Sequence, residues 1–298
     1  MRYRIDHQTR IVFPDEVREH HCEMRLEPVT DRHQRLLAAQ IETEPDADIH
    51  RYRDAFGNDV HHFGITAPHD HLTTRLVADV ECLLENPFDF PALDPRREGD
   101  WIAHSLRDVP RLWDYVFHRS PMTPTATNVE LGGCPGNDDA DVPLLQAVQN
   151  VMAWMGEEFQ YDPEATEVDS PLVRVLERRA GVCQDFAHLL ITVVRSWGVP
   201  ARYVMGYHYP GAKPSTDASA THAWVEVLVP GADWLGFDPT HGLLADDHYI
   251  KVAVGRDVRD AAPQRGSFKG DGAKEAPDIR VSVTPLEPRP DEPGAEPA

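Results

Sequence analysis

The chain has 298 residues, 41% of them hydrophobic, with 50 acidic against 29 basic side chains and a formal charge of −21. A chain of this length can hold two domains and bury a sizeable core, whereas the charge argues against binding a nucleic-acid backbone, which calls for clustered Lys and Arg. No stretch has the length and apolarity of a membrane span, and MRYRIDHQTRIVF lacks a signal-type apolar region, so neither membrane nor nucleic acid is an expected partner and a cytoplasmic location is expected.

Residues 1–85 read as an all-β, sandwich-like domain. MRYRIDHQTRIVF, EHHCEMRLEPV, RLLAAQIETEP, GNDVHHFGIT and LTTRLVADVECL are short alternating stretches separated by Pro, Asp, Asn and Gly clusters. Phe56-Gly57-Asn58-Asp59 suggests a hairpin turn. His20, His21, His61, His62, His69 and His71 crowd this region, but no cysteine or carboxylate joins them at a metal-ligand spacing, so cross-strand or surface positions are expected.

Residues 86–140 form a connector. A short helix is predicted over DVPRLWDYVFHRS, with Asp108 as N-cap and Pro110 in its first turn. Asp138, Asp139 and Asp141 lie in a loop that lacks the Gly and the terminal Glu of an EF-hand, and they read as a solvated acidic loop.

Residues 141–270 carry the chemistry. Leu144, Leu145, Val148, Val151, Met152 and Met155 share one helical face, a core stripe. Ser170 and Pro171 mark the start of a second helix. A turn at Gly181 then precedes Cys183, and Phe186, Leu189, Leu190, Val193, Val194 and Trp197 recur at helical steps until Gly198 and Pro200 end the run. Cys183 is thus placed at a helix N-terminus, where unpaired amides and the positive end of the dipole favour thiolate over thiol.

PARYVMGYHY, THAWVEVLV and WLGFDPTHG follow as strands, with His222 starting one and Asp238 closing the next. A strand-borne His222 could take the proton of Cys183 while Asp238 fixes the imidazole tautomer. Gln184 is a candidate oxyanion donor, and Trp224, on the strand face of His222, a candidate shield of the ion pair. His188 should point away from the sulfur, and the turn at Pro239 leaves the direction of His241 open. Cys22, Cys82 and Cys134 fit neither a disulfide framework nor a metal motif.

The stretches GVCQDFAHLL, GVPARYVMGY, HAWVEV and GFDPTHG resemble the transglutaminase-like superfamily, a papain-like cysteine fold. RYRDAFGNDVHHFGI (residues 51–65) resembles the N-terminal β region of its bacterial members, and IKVAVGRDVRDAAPQRGSFKG (residues 250–270) the segment that follows their core. The resemblance implies Cys183 as nucleophile, His222 as general base and acid, and Asp238 as the orienting carboxylate. The superfamily includes transglutaminases, peptidases, amidases and inactive relatives.

The expected architecture is therefore α+β: a helix-borne cysteine against an antiparallel sheet, preceded by the β domain and followed by a mostly disordered tail over residues 271–298. IRVSV is the tail's one strand-like stretch, and the last dozen residues offer nothing apolar to offset ordering entropy. The expected reaction is acyl transfer from an amide or peptide bond through a Cys183 thioester, with a peptide or protein substrate and either water or a primary amine as acceptor. No cofactor and no metal are expected. The alternative is a catalytically silent binding or scaffold protein, for which an intact Cys, His and Asp would have no physical purpose.

Overall fold

The computed structural model describes residues 1–129, 131–211, 221–272 and 276–287. Its N-terminal body is built on β1 (Arg2–Met24), a single 23-residue strand where two shorter ones are expected. The strand survives because its irregularity is local. Its register against a neighbour shifts between Val12 and Val17, a stretch that contains Pro14, which has no N–H to give a ladder. β2 (Gln34–Glu44), β3 (His50–Arg53), β4 (Asp59–Ile65) and β5 (His69–Cys82) complete the first set of strands. β3 and β4 form a hairpin whose turn sits two residues earlier than the sequence suggests. The Asp54 carboxylate accepts the amides of Phe56 (2.9 Å) and Asn58 (3.0 Å), and Gly57 takes the positive φ of 85°.

The connector is more helical than its composition implies. α1 (Pro95–Asp108) starts at Asp94, whose side chain accepts from the amide of Arg96, with Pro95 in the first turn. Asp108 is therefore the last residue of α1 and not an N-cap; Val109 precedes a short 3₁₀ turn, Pro110–Trp113, that runs into α2 (Asp114–Phe117). The local signal for α1 is the Asp-Pro pair at 94–95, equivalent in kind to the Ser-Pro pair at 170–171. Asp141 of the acidic loop pairs with Arg96 at 2.7 Å.

α3 (Leu144–Glu158) buries Leu144, Val148, Val151, Met152 and Met155 as its periodicity requires, and adds Ala147 and Trp154. β6 (Gln160–Tyr161), α4 (Leu172–Arg178) and β7 (Ala180–Gly181) then lead to α5 (Cys183–Ser196). The cap of α4 is Pro171, one residue past the expected Ser170, whose hydroxyl instead accepts the amide of Glu167. α5 is buried on every side from Asp185 to Arg195. It lies on β8 (Ala201–His208) and β9 (His222–Val229) and is covered by α2, α3 and α4. At about 1.5–3 kcal/mol for each fully buried Leu, Ile, Val or Phe, this helix is a principal source of core stability.

β10 (Asp233–Asp238), β11 (Leu243–Leu244) and β12 (Tyr249–Gly255) finish the second sheet, antiparallel in the order β11-β10-β9-β8-β12. After α6 (Val258–Ala261) the chain returns to the first sheet. β13 (Gln264–Lys269) pairs with the second half of β1, and β14 (Asp278–Pro285) with the first half. The result is a curled, sandwich-like seven-stranded sheet around β1.

Two expected boundaries change accordingly. Residues 264–269 pair into the N-terminal sheet, and the strand-like IRVSV is part of a longer strand over residues 278–285 that joins the same sheet. The physical reason is that each half of β1 has a second edge to satisfy. Of the last dozen residues, 288–298 lie outside the described residues.

The two bodies dock along β12, the edge strand of the core sheet. Asn58 donates to the carbonyl of Val254 and accepts its amide, both at 2.8 Å; Gln34 does the same with Lys251 at 2.7 and 2.8 Å. Two side-chain amides thus replace a missing strand along this edge.

Candidate active site

The site is built where the first residue of α5 meets the end of the core sheet. The chain makes its turn at Arg179, which has left-handed geometry (φ 52°), and Gly181 is an extended residue of β7. The glycine is required for a different reason from a turn. A Cβ there would lie 2.8 Å from a carboxylate oxygen of Asp185, which reaches back to accept the amide of Val182 at 3.0 Å and the hydroxyl of Thr166 at 2.5 Å. Gly181 and Asp185 together fix the first turn of α5 and so the position of Cys183. Burial holds the Asp185 carboxyl above the usual carboxylate range.

His222 is the first residue of β9, between β8 and β10, and Asp238 is the last of β10. Adjacent antiparallel strands bring them together, with His222 Nε2 at 2.8 Å from Asp238 Oδ2. Asp238 is fully buried and every acceptor direction is used. Oδ2 also receives His241 Nδ1 at 2.6 Å and the Tyr249 hydroxyl at 2.8 Å, while Oδ1 receives the amides of Thr240 (2.8 Å) and His241 (3.4 Å). Burial would raise such a carboxyl, but hydrogen bonds from the two histidines and their charge drive it far below the usual range.

Burial alone would make His222 neutral. Hydrogen bonds to Asp238 and to the Cys183 thiol, and the charges of both, outweigh it and lift the imidazole from 6.5 to about 10. Nε2 is held by Asp238, so Nδ1 is the nitrogen that faces the sulfur.

Sequence reasoning left out two members of this cluster, His208 and Tyr249, and left the direction of a third, His241, open. His208, at the end of β8, lies between the rings of Tyr249 (4.6 Å between centroids), His241 (5.0 Å) and His222 (5.5 Å), and burial first, then the neighbouring His222 and His241, hold it down at about 4. His241 had a local signal, a histidine three residues after Asp238 across a Pro turn. Tyr249 had none, because it arrives from β12.

Gln184 lines the same cavity as Cys183, and its side-chain amide donates to the carbonyl of Val168 at 2.7 Å. Trp224 does stack on His222, with ring centroids 6.2 Å apart and planes 23° apart, but on the side away from the cavity that Cys183 opens into. There it packs with Val204, Ala245, Tyr249 and Val254. His188 is structural: Nε2 accepts the amide of Val258 at 3.2 Å, the ring stacks on Tyr203, and burial pushes it down to about 3.

The histidines of the N-terminal sheet pair across strands, His20 with His69 at 3.2 Å and His21 stacked on His62. Cys183 is half-buried, and it lies with His222 in a cavity of about 610 Å³ whose opposite wall is the N-terminal sheet. No helix among the described residues is long and apolar enough to cross a membrane.

A cysteine at a helix start, facing a strand-borne histidine that an aspartate on the next strand holds, defines the class of papain-like thiol folds. The chain belongs to the transglutaminase-like superfamily: residues 136–239 match the model of that superfamily, and residues 3–81 match the bacterial transglutaminase-like N-terminal region. An uncharacterized protein of Mycobacterium leprae is 32% identical over 291 residues, which cover 96% of this chain and 99% of that protein. The crystal structure of a candidate cysteine protease from Cytophaga hutchinsonii superposes with a TM-score of 0.70 at 20% identity, covering 97% of this chain and 93% of that one. A protein-glutamine gamma-glutamyltransferase of Pseudomonas aeruginosa is 35% identical over 92 residues, 28% of this chain and 14% of that enzyme.

Proposed function

We propose that the protein is a thiol acyl-transfer enzyme that hydrolyses an amide or peptide bond, with Cys183, His222 and Asp238 as its catalytic triad. The observation that carries this reading is the buried Asp238–His222 pair at 2.8 Å, which keeps the ring that faces Cys183 protonated at neutral pH. A catalytically silent scaffold would have no use for a buried carboxylate held by two histidines and a tyrosine.

In the proposed sequence the Cys183 thiolate adds to the amide carbonyl. The resulting oxyanion is held by amides of the first turn of α5. Those of Asp185 and Phe186 are taken by the carbonyl of Val182, so the amides of Cys183 and Gln184 are the donors assigned to it. His222 then gives its Nδ1 proton to the departing amine as the C–N bond breaks, which leaves a thioester on Cys183. Water, deprotonated by the now neutral Nδ1, attacks the thioester; the acid leaves and the thiolate–imidazolium pair is restored. Asp238 stays ionised and keeps Nε2 as its donor throughout.

Transfer to a primary amine shares the first half of this path, and the name of the Pseudomonas relative favours it as the second reading. Water is preferred as acceptor because it outnumbers any amine by orders of magnitude, and an amine would win only in a groove that keeps water from the thioester.

Incubation with glutamine-containing and ordinary peptides, with and without a labelled primary amine, tests this against a Cys183→Ala control. Release of free acid that needs Cys183 is the expected result. Amine incorporation that outruns it would replace hydrolysis with transfer, and silence in both channels would return the scaffold reading.

A further inference from the structure

The cavity that Cys183 opens into has a composition unlike the rest of the molecule. Charged residues make up 27% of the chain, yet among the described residues that line this cavity there is no Asp, Glu, Lys or Arg. Its walls come from both bodies. Met205 and Val258 belong to the core, while Ile11, Phe268 and Ile279 project from β1, β13 and β14 of the N-terminal sheet. Phe268 is itself braced by Phe13 at 4.8 Å and His20 at 5.3 Å between ring centroids.

Apart from the reacting pair, the polar side chains among the described wall residues are neutral ones. His7 has both ring nitrogens engaged, Nδ1 with the Tyr207 hydroxyl at 3.0 Å and Nε2 with the Thr9 hydroxyl at 3.2 Å, and burial pushes it down to about 4. His20 shares a hydrogen bond with His69, and burial holds it at about 4 as well. Among the described residues that line the cavity, the charges at neutral pH are those of the reacting pair.

Resting on the reading of Cys183 as nucleophile, we infer that this cavity is a specificity pocket for an uncharged, apolar side chain next to the scissile carbonyl, and that the N-terminal sheet supplies its far wall. A charged side chain would leave water for walls that offer it no partner, which is costly, whereas an apolar one is favoured by the same transfer. The volume of about 610 Å³ lies within the range of roughly 300–1,000 Å³ that encloses drug-sized ligands, room for a bulky apolar side chain and adjoining backbone. The N-terminal domain is then part of the active site, and the return of β13 and β14 to β1 is what closes it.

The test uses peptidyl chloromethyl ketones that differ only in the side chain beside the reactive group, leucyl, lysyl and aspartyl, with iodoacetamide as a small neutral reference and intact mass as the readout of Cys183 labelling. The leucyl reagent is expected to label at least about tenfold faster than either charged one after normalisation to iodoacetamide. Ile279→Asp places a carboxylate on the wall at a residue that is 46% exposed, so the fold should tolerate it. It should narrow the leucyl-to-lysyl ratio, each rate normalised to that variant's own iodoacetamide rate, about fivefold or more.

Charged reagents that match the leucyl one in the wild type, or a ratio that Ile279→Asp leaves unmoved, would overturn the pocket while the nucleophile stands. A Cys183 inert to all four reagents would overturn the reading of the site and the pocket with it.

Discussion

Replacing Asp238 by Asn keeps the volume of a fully buried residue and changes one property, the charge that three side-chain donors and two backbone amides share. The lift of His222 from 6.5 to about 10 corresponds to roughly 5 kcal/mol in favour of the imidazolium. Asp238 is the larger of its two sources, Cys183 the other, and burial opposes both. With Asn the amide oxygen can accept from His241 or Tyr249, but the NH₂ must meet Nε2 of His222 as a donor. The ring is then neutral, with its proton on Nδ1 toward the sulfur, so it can neither deprotonate Cys183 nor stabilise a thiolate.

Loss of tautomer and charge together should lower turnover by about 10⁴-fold with far less change in KM. A substrate-free version of the assay follows alkylation of Cys183 by iodoacetamide. At one and the same pH, Asp238→Asn should react more slowly than the wild type. Circular dichroism and thermal unfolding must show the variant folded. A folded Asp238→Asn that keeps its rate within tenfold of wild type would refute the role given to the carboxylate.

Other outcomes follow from the same geometry. Limiting alkylator at mildly acidic pH should modify Cys183 ahead of Cys22 and Cys82, whose thiols burial pushes up to about 12, and of Cys134, raised to about 11, as peptide mapping would report. His222 has its folded value raised above 6.5, so its contribution to stability is complete below about pH 6.5 and is lost as pH rises through about 10. The apparent Tm of wild type should accordingly fall more steeply over that window than the Tm of His222→Gln.

His241→Ala removes one donor from Asp238 and should cost about ten- to a hundredfold in kcat, with KM little changed. Gly206→Ala would drive a methyl into the carbonyl of Ile250 and to 2.6 Å from the Trp224 ring, so urea unfolding should show a loss of about 1–3 kcal/mol, with activity reduced as β8 and β12 separate.

Much of the candidate site was legible because its signals are local. A helix start is written in the residues that begin it, and strands alternate with period two, so the positions of Cys183, His222 and Asp238 on their elements could be read from α5, β9 and β10 alone. The family motifs added their order and roles. Where local signals compete, boundaries moved by a residue or a strand. Pro171 took the cap from Ser170, Val109 took it from Asp108, and β1 ran through a stretch that contains a proline.

Tertiary structure decided everything that depends on residues distant along the chain. It alone brings Tyr249 and His208 to Asp238, turns Gln184 onto Val168, and places Trp224 behind His222 rather than in the cavity. It also returns residues 264–269 and 278–285 to β1. Composition and periodicity carry no information on which strand edge a later segment will satisfy; that is fixed by unpaired backbone on β1, two hundred and more residues away. The sequence by itself determined which groups could perform thiol chemistry, and the packing of the two sheets determined what surrounds them: a carboxylate with no remaining free acceptor and a cavity whose described walls hold no Asp, Glu, Lys or Arg.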